Sequence, residues 1–447
     1  MFELGRELKR LFRADAAEGM AAGDASLLEL LDLTLLRAEG RSALLAASGA
    51  ARDNPRRQLD AAVVWREVAR RTGDSAPLRQ AAALAERAAD GFDRIQRPKA
   101  WAEARAEQAR CALLGAELFG DDGLNAAAQV ALTDARAAAG PGSAAAALAE
   151  AGLWVVEARK ALAGADQAAV LALAARLDGP VRILRAQGRR NPDARLQALE
   201  LRLIRADLLC AAGQRLKEPT LLRRAYNELG EDLDQLDAAY EPLSWARAAM
   251  LRGAVRAALA ELEVDLGELA ASITDLAQAI DNLDADHSPL DWARGQQVLG
   301  GVLQMLGEAA DSDRAFDQAV GCYDRALLVL VDQPALAERA HAIYHRAVCL
   351  ARKAEIRCDL RGLDEAESAL RAELAGSGAS RDPVGWAVRQ LNFARLYEAR
   401  MGVTGRDRGE RAASAVALSA ALDVFGEHGL RTLADTAARR LEELRVG

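Results

Sequence analysis

Prolines recur along this chain at a nearly regular interval, and that interval restricts what it can fold into. Pro55, Pro98, Pro141, Pro192, Pro242, Pro289, Pro334 and Pro383 are separated by 43 to 51 residues. Each follows a polar or small residue and precedes a stretch of helical pattern. Proline is tolerated at the first position of a helix, where its missing N–H has no intrahelical partner and its fixed φ already suits the turn. Three residues after four of these prolines stand Trp101, Trp245, Trp292 and Trp386, in phrases that nearly repeat: PLSWARAAM, PLDWARGQQ and PVGWAVRQL. Punctuation at such a period is the mark of a repeat array.

A second spacing runs through the other half of each unit. Phe316, Ala319, Tyr323 and Ala326 fall at steps of three, four and three. The same steps return as Leu78-Ala81-Ala85-Ala88, Leu124-Ala127-Ala131, Leu222-Ala225-Leu229, Leu269-Ser272-Leu276-Ala279, Leu363-Ala366-Leu370 and Arg411-Ser414-Leu418-Ala421. Residues three and four apart share one stripe of an α-helix, so each copy predicts an amphipathic helix with one apolar side. Large members fill the space beside a neighbouring helix, and small members let its backbone come close. Fixed offsets from the helix starts make the tryptophans packing residues between units.

Composition agrees with helix. Apolar residues make up 51% of the chain but aromatics only 4%, so β-branched and aromatic strand formers are scarce beside alanine and leucine. The formal net charge of −8 is spread over interspersed acids and bases, without the concentrated basic face that nucleic acid requires. Five cysteines without a Cys-x-x-Cys pair read as reduced, mostly buried thiols of a cytoplasmic protein. No apolar run reaches membrane-spanning length.

The phrase FDQAVGCYDRAL, together with Leu299-Gly300 in WARGQQVLGGVLQMLGE and the weaker Phe393-Ala394, resembles the tetratricopeptide repeat family. The resemblance extends over residues 55–425 and is most specific between about 240 and 400. The period of about 47 exceeds the about 34 of that family, which implies longer helices or loops. The resemblance implies an all-α, right-handed α-solenoid of about eight stacked helical hairpins, with the count open between 141 and 225. Residues 1–54 are assigned to an N-terminal helical cap, 55–425 to the solenoid and 426–447 to a C-terminal capping helix.

Catalytic signatures are scarce. Four histidines exist, and only His341 and His345, four apart on a helix with Glu338 nearby, have the spacing of metal ligands. The residue after His341 is alanine, not the glutamate that a zinc protease requires. There is no nucleophile elbow and no phosphate loop. The chain is therefore read as no enzyme, with no catalytic residue, no metal and no cofactor.

What the resemblance implies instead is a concave groove lined by first-helix residues. Counting from Leu299 and the prolines places Arg247, Arg294 and Arg339 at an early groove position and Arg346 and Arg395 at a later one, with Arg110 near the start. Guanidinium forks grip carboxylates bidentately. The expected function is a non-catalytic adaptor or scaffold binding a protein or peptide partner, acidic in character, in this groove. The alternative is a regulatory repeat protein sensing a ligand or peptide, and a metal-dependent enzyme is a distant third. Residues 2–13 form an amphipathic stripe that covers the first repeat; contact with a membrane through it is the less favoured use.

Overall fold

The computed structural model describes residues 25–48, 54–164, 166–188, 192–332, 337–376, 383–427 and 431–446. Among these, every regular element is an α-helix. Two short leading helices, α1 (Ala25–Leu28) and α2 (Leu33–Ser48), precede eight hairpins. The first four are α3 (Asn54–Thr72) with α4 (Ser75–Gly91), α5 (Pro98–Phe119) with α6 (Asp122–Ala138), α7 (Ala144–Ala163) with a broken partner, and α10 (Pro192–Leu216) with α11 (Pro219–Leu233). That broken partner consists of α8 (Gln167–Arg176) and α9 (Asp178–Gly188). The last four are α12 (Pro242–Glu263) with α13 (Leu266–Asp281), α14 (Pro289–Ala310) with α15 (Asp313–Val329), α16 (Ala337–Ile356) with α17 (Leu360–Gly376), and α18 (Pro383–Thr404) with α19 (Glu410–Glu427). A single helix, α20 (Arg431–Val446), follows.

Local chemistry explains the hairpins. At six of them the first helix ends on one left-handed residue, Gly73, Gly120, Lys217, Val264, Asp311 or Cys358. The very next side chain, Asp74, Asp121, Glu218, Asp265, Ser312 or Asp359, accepts hydrogen bonds from backbone N–H groups opening the second helix. One turn thus stops a helix and caps the next. From Glu218 to Asp359 these caps are spaced at 47 residues, a periodicity as clear as that of the prolines.

Helix packing follows the stripes. Phe316, Ala319, Tyr323 and Ala326 are fully buried, which favours folding by about 2–3 kcal/mol for each large side chain. A Cβ on Gly307 would stand 3.0 Å from the Phe316 ring, and one on Gly300 would stand 3.0 Å from Tyr323. The Leu-Gly pair of the first helix is therefore where the aromatic residues of the second lie against bare backbone. Trp245 and Trp292 are partly buried in the core cluster shared by α12 to α16, and Trp386 in the cluster of α16 to α20.

Three expectations shift. In α6 the buried set is Ala128, Ala131, Leu132 and Ala135, while Ala127 is exposed; steps of four, three and four from Leu124 fit the helix in place of three and four. Pro141 lies in a turn, because Ser143 caps α7 and the helix begins only at Ala144. The stretch between 141 and 225, whose repeat count was open, holds the hairpin of α7 with α8 and α9 and most of the hairpin of α10 with α11, and in the former the second helix breaks at Leu177. Pro180, without an N–H for the carbonyl four residues back, prevents α8 from running on. Pro334 and the amphipathic residues 2–13 lie outside the described residues.

Winding is the feature that no local pattern announces. First helices line the inside of the array, each against the next: α3, α5, α7, α10, α12, α14, α16 and α18. Contacts also join α3 to α14 and α5 to α16, that is, hairpin one to six and two to seven. The coil therefore closes on itself about every five hairpins, and its first turn lies against its second. Segment α1 follows the same rule: it touches α10, and Glu29 just beyond it bonds to Ser244 at the start of hairpin five. At the two ends α2 packs on α3 and α20 on α19.

Candidate functional site

Tight winding brings charged first-helix residues together along the axis of the coil. Glu200 of α10 accepts hydrogen bonds from Arg70 of α3 and, at 3.1 Å, from Arg110 of α5. Burial alone would raise the Glu200 carboxyl, but Arg70 and Arg110 outweigh it and hold its pKa well below the usual carboxylate range. Arg66 Nε donates to Glu107 at 2.5 Å with both side chains buried. Arg71, wholly buried, donates to Glu67 and to the carbonyls of Leu28 and Leu31, which fixes the chain leading into α2. Ser244 donates from backbone and hydroxyl to the Glu29 carboxylate, and His287 donates through Nε2 to the Glu29 carbonyl at 2.8 Å. What space remains among Glu29, Arg70, Glu200 and Ser244 is a cavity of about 30 Å³, enough for water and far too small for a peptide.

The six arginines expected to line a groove divide accordingly. Arg110, Arg247 and Arg294 point to the axis and are already engaged. Arg247 forms a fork with Asp291 at 2.5 and 2.9 Å, and Ser288 Oγ donates to the same carboxylate at 2.6 Å. Burial opposes ionisation of Asp291, but Arg247 prevails and its pKa is lowered. Arg294 bonds to Glu338 at 2.7 Å and to Glu117, on the opposite turn, at 3.0 Å. Arg346 reaches sideways to Asp324 of α15 at 2.5 Å. Arg339 makes no ion pair among the described residues, and its Nε is buried without an acceptor. Arg395 lines an open cavity.

The groove is thus an ion-paired seam over its first part. The arginines do lie on first helices, but sequence reasoning missed their partners. A signal was present: Asp291 follows Arg247 by 44 residues and Glu338 follows Arg294 by 44. Subtracting one helical turn from a 47-residue period makes such residues face each other on adjacent first helices.

Beyond α16 the inner face opens. A cavity of about 640 Å³ lies between the C-terminal halves of α16, α18 and α20, within the range of ligand sites. Arg352 and Glu355 line it from α16, Cys358 from the turn that follows, Arg395, Glu398, Ala399, Gly402 and Val403 from α18, and Arg439, Arg440 and Glu443 from α20. Arg352 pairs with Glu355. Arg440 Nη2 donates to Glu398 at 2.5 Å, while Ser414 Oγ donates to the other oxygen of that carboxylate at 2.9 Å. Arg395 and Arg439 form no ion pair among the described residues. Burial lowers the Arg395 pKa, the guanidinium groups of Arg352 and Arg440 add to the effect, and Glu308 and Glu355 offset part of it. Arg439 and Arg440 were not singled out by the sequence, because α20 lacks the proline and tryptophan that set the register elsewhere, and Arg352 of α16 was not at either of the groove positions counted.

The histidine pair has other employment. His341 Nδ1 lies 2.9 Å from Gln297 Oε1, and His345 Nδ1 lies 3.2 Å from Gln304 Oε1, so each Nδ1 carries the proton and donates. Their rings are 4.2 Å apart. Burial, then the second ring, pushes the His345 pKa down to about 4. Glu338 turns away to Arg294. No group of three or more histidine, cysteine or carboxylate side chains that could hold a metal ion occurs among the described residues. Four cysteines are buried and Cys358 is exposed. Among the described residues no helix is long and apolar enough to cross a membrane.

No family model matches the chain, and no curated protein matches it either. Solved structures do. A Rap protein complexed with competence and sporulation factor is 12% identical over 88% of this chain and 97% of its own, with a TM-score of 0.49. A circular tandem repeat protein with novel repeat topology is 15% identical over 94% and 96%, at 0.27. The TPR domain of P58(IPK) is 17% identical over 99% and 97%, at 0.24. All three are remote in sequence, and the all-α repeat fold rests on the chain's own eight hairpins.

Proposed function

We propose that the chain is a non-catalytic protein-interaction module, and that it receives an extended acidic segment of a partner on the open inner face formed by α16, α18 and α20. The observation that carries this reading is the cavity of about 640 Å³ in which Arg395 and Arg439 stand outside any ion pair among the described residues. Successive first helices present several side chains to one strand of ligand, as stacked repeats do. Carboxylates entering from solvent find guanidinium groups that no described acid holds in an ion pair. The docking surface is consequently shorter than an unobstructed groove, about two hairpins and the closing helix. The two chain ends serve as caps in the same reading, with α2 over the first hairpin and α20 over the last.

The test is an array of acidic peptides of about ten residues probed with the full chain. The wild type is expected to retain a subset enriched in Asp and Glu. Arg395→Glu and Arg439→Glu should each release it, whereas Arg346→Glu, on the flank, should not. Retention unchanged by either inner-face reversal would dispose of this docking surface.

A further inference from the structure

We infer that the cavity between α16, α18 and α20 contains a subsite for a compact tetrahedral oxyanion of the phosphate class, centred on Arg395. It rests on reading that cavity as the binding surface and adds the chemistry of the group it takes. Three observations lead there.

Arg395 stands midway along α18, half-buried, on the wall of the cavity and paired with no carboxylate. A guanidinium group in that setting has lost water and gained only the unpaired pull of Glu308 and Glu355, with no carboxylate in an ion pair among the described residues. Its neighbours make matters worse for it, because Arg352 and Arg440 are close enough to act on it electrostatically. Arg352 and Arg440 have carboxylate partners in Glu355 and Glu398, and Arg395 between them is the cation that an added anion would complete.

Donors are also left over. Arg352 spends one terminal nitrogen on Glu355, and its Nε is buried with no acceptor. Arg440 commits Nη2 to Glu398. Beside Arg352 and Arg395 a smaller void of about 10 Å³ reaches Asn392 and Leu396. Guanidinium groups from three separate helices suit a tetrahedral group with three or more acceptor oxygens better than a planar carboxylate, which one fork satisfies.

The carboxylates of the lining define the size. Glu355, Glu398 and Glu443 belong to the same wall, so a polymer charged at every unit, such as nucleic acid, would meet repulsion along most of its length, whereas a segment whose charges are set apart need not. A single compact charge placed at Arg395 has Glu355 as its nearby acid, and Glu355 is already paired with Arg352. The cavity is much larger than one ion, so the oxyanion can arrive free or on a side chain of a partner segment; both share the same chemistry.

Calorimetric titration of the full chain, at constant ionic strength in a chloride buffer, tests this with two ligands: inorganic phosphate, and a phosphoserine peptide beside its unphosphorylated twin. Saturable one-to-one binding is expected for at least one phosphorylated ligand, weakened at least tenfold in Arg395→Met and less in Arg395→Lys, which keeps the charge and loses the fork. Binding of both ligands, or of free phosphate alone, supports a site for the ion itself. Binding of the phosphopeptide alone, with the twin silent, supports delivery on a partner. Arg439→Met, on the exposed rim, gives a second weakened variant should Arg395→Met fail to fold. No phosphate effect beyond that of chloride, or equal affinity in wild type and both methionine variants, overturns the inference. Retention of acidic peptides in that case would leave the docking surface standing, and a positive titration with no peptide retained would do the reverse.

Discussion

Replacing Glu200 with glutamine would show whether charge holds the first turn of the coil closed across its axis. The residue belongs to hairpin four but accepts from arginines of hairpins one and two. Glutamine keeps its length and one acceptor oxygen and removes the charge. Two unit charges near 4 Å attract by about 4 kcal/mol at an effective dielectric of about 20, before desolvation is counted. Much of that is not realised here. Arg70 keeps Glu67 at 3.8 Å and Arg110 keeps Glu107 at 3.4 Å, and the Glu200 side chain is 31% exposed. We expect Glu200→Gln to lose about 2–3 kcal/mol, toward the lower end for breaking a buried pair. Urea denaturation followed by circular dichroism measures the loss, with the exposed Glu86→Gln as a control expected within about 0.5 kcal/mol of wild type. Small-angle scattering adds the decisive readout, because a coil released at this contact should expand. Glu200→Leu combined with Arg70→Leu should recover part of the loss. A Glu200→Gln protein with wild-type midpoint and unchanged radius of gyration would refute charge as the closure.

Two further outcomes are expected. Val264 holds a left-handed φ of 55° at a solvent-exposed turn, so Val264→Gly should raise stability by about 0.5–1 kcal/mol once the entropy of glycine is deducted, readable as a rise in urea midpoint. His345, whose folded pKa of about 4 lies below its ordinary 6.5, resists protonation in the fold while the unfolded chain accepts it. Its contribution is therefore complete above about pH 6.5 and is lost as pH falls toward 4, on the order of 2 kcal/mol after allowing for its partial exposure. His345→Gln should flatten the stability profile across that window, and an equally steep profile would show that another group is responsible.

The hairpins were legible because their causes are local. Phe316, Ala319, Tyr323 and Ala326 announce a stripe within eleven residues, and Pro242, Pro289 and Pro383 announce helix starts by backbone chemistry alone. Errors arose where local rules compete: Pro141 could open a helix or end a turn, and Ser143 took the cap. Winding was not legible, since it joins residues such as Glu29 and Ser244, 215 positions apart, that share no pattern. The groove reading suffered for the same reason. A first-helix arginine faces inward in either case, and only the radius of the coil decides whether it meets a guest or an internal acid. Arg395 differs from Arg247 by its place beyond the last cross-turn contact described, not by any feature of its own neighbourhood in the chain.

Most stacked-repeat proteins can form each module as soon as its predecessor is complete. Here the earliest hairpins depend on partners made much later: Glu117 waits 177 residues for Arg294, and Glu29 waits 215 for Ser244. At cellular rates of synthesis that delay is roughly 10–40 s, during which a nascent chain emerging from the ribosome carries charged side chains without their counterparts. Gene duplication is constrained too. Inserting one module between hairpins one and six would move every such partner out of phase, so the array can lengthen freely only past its C-terminal end.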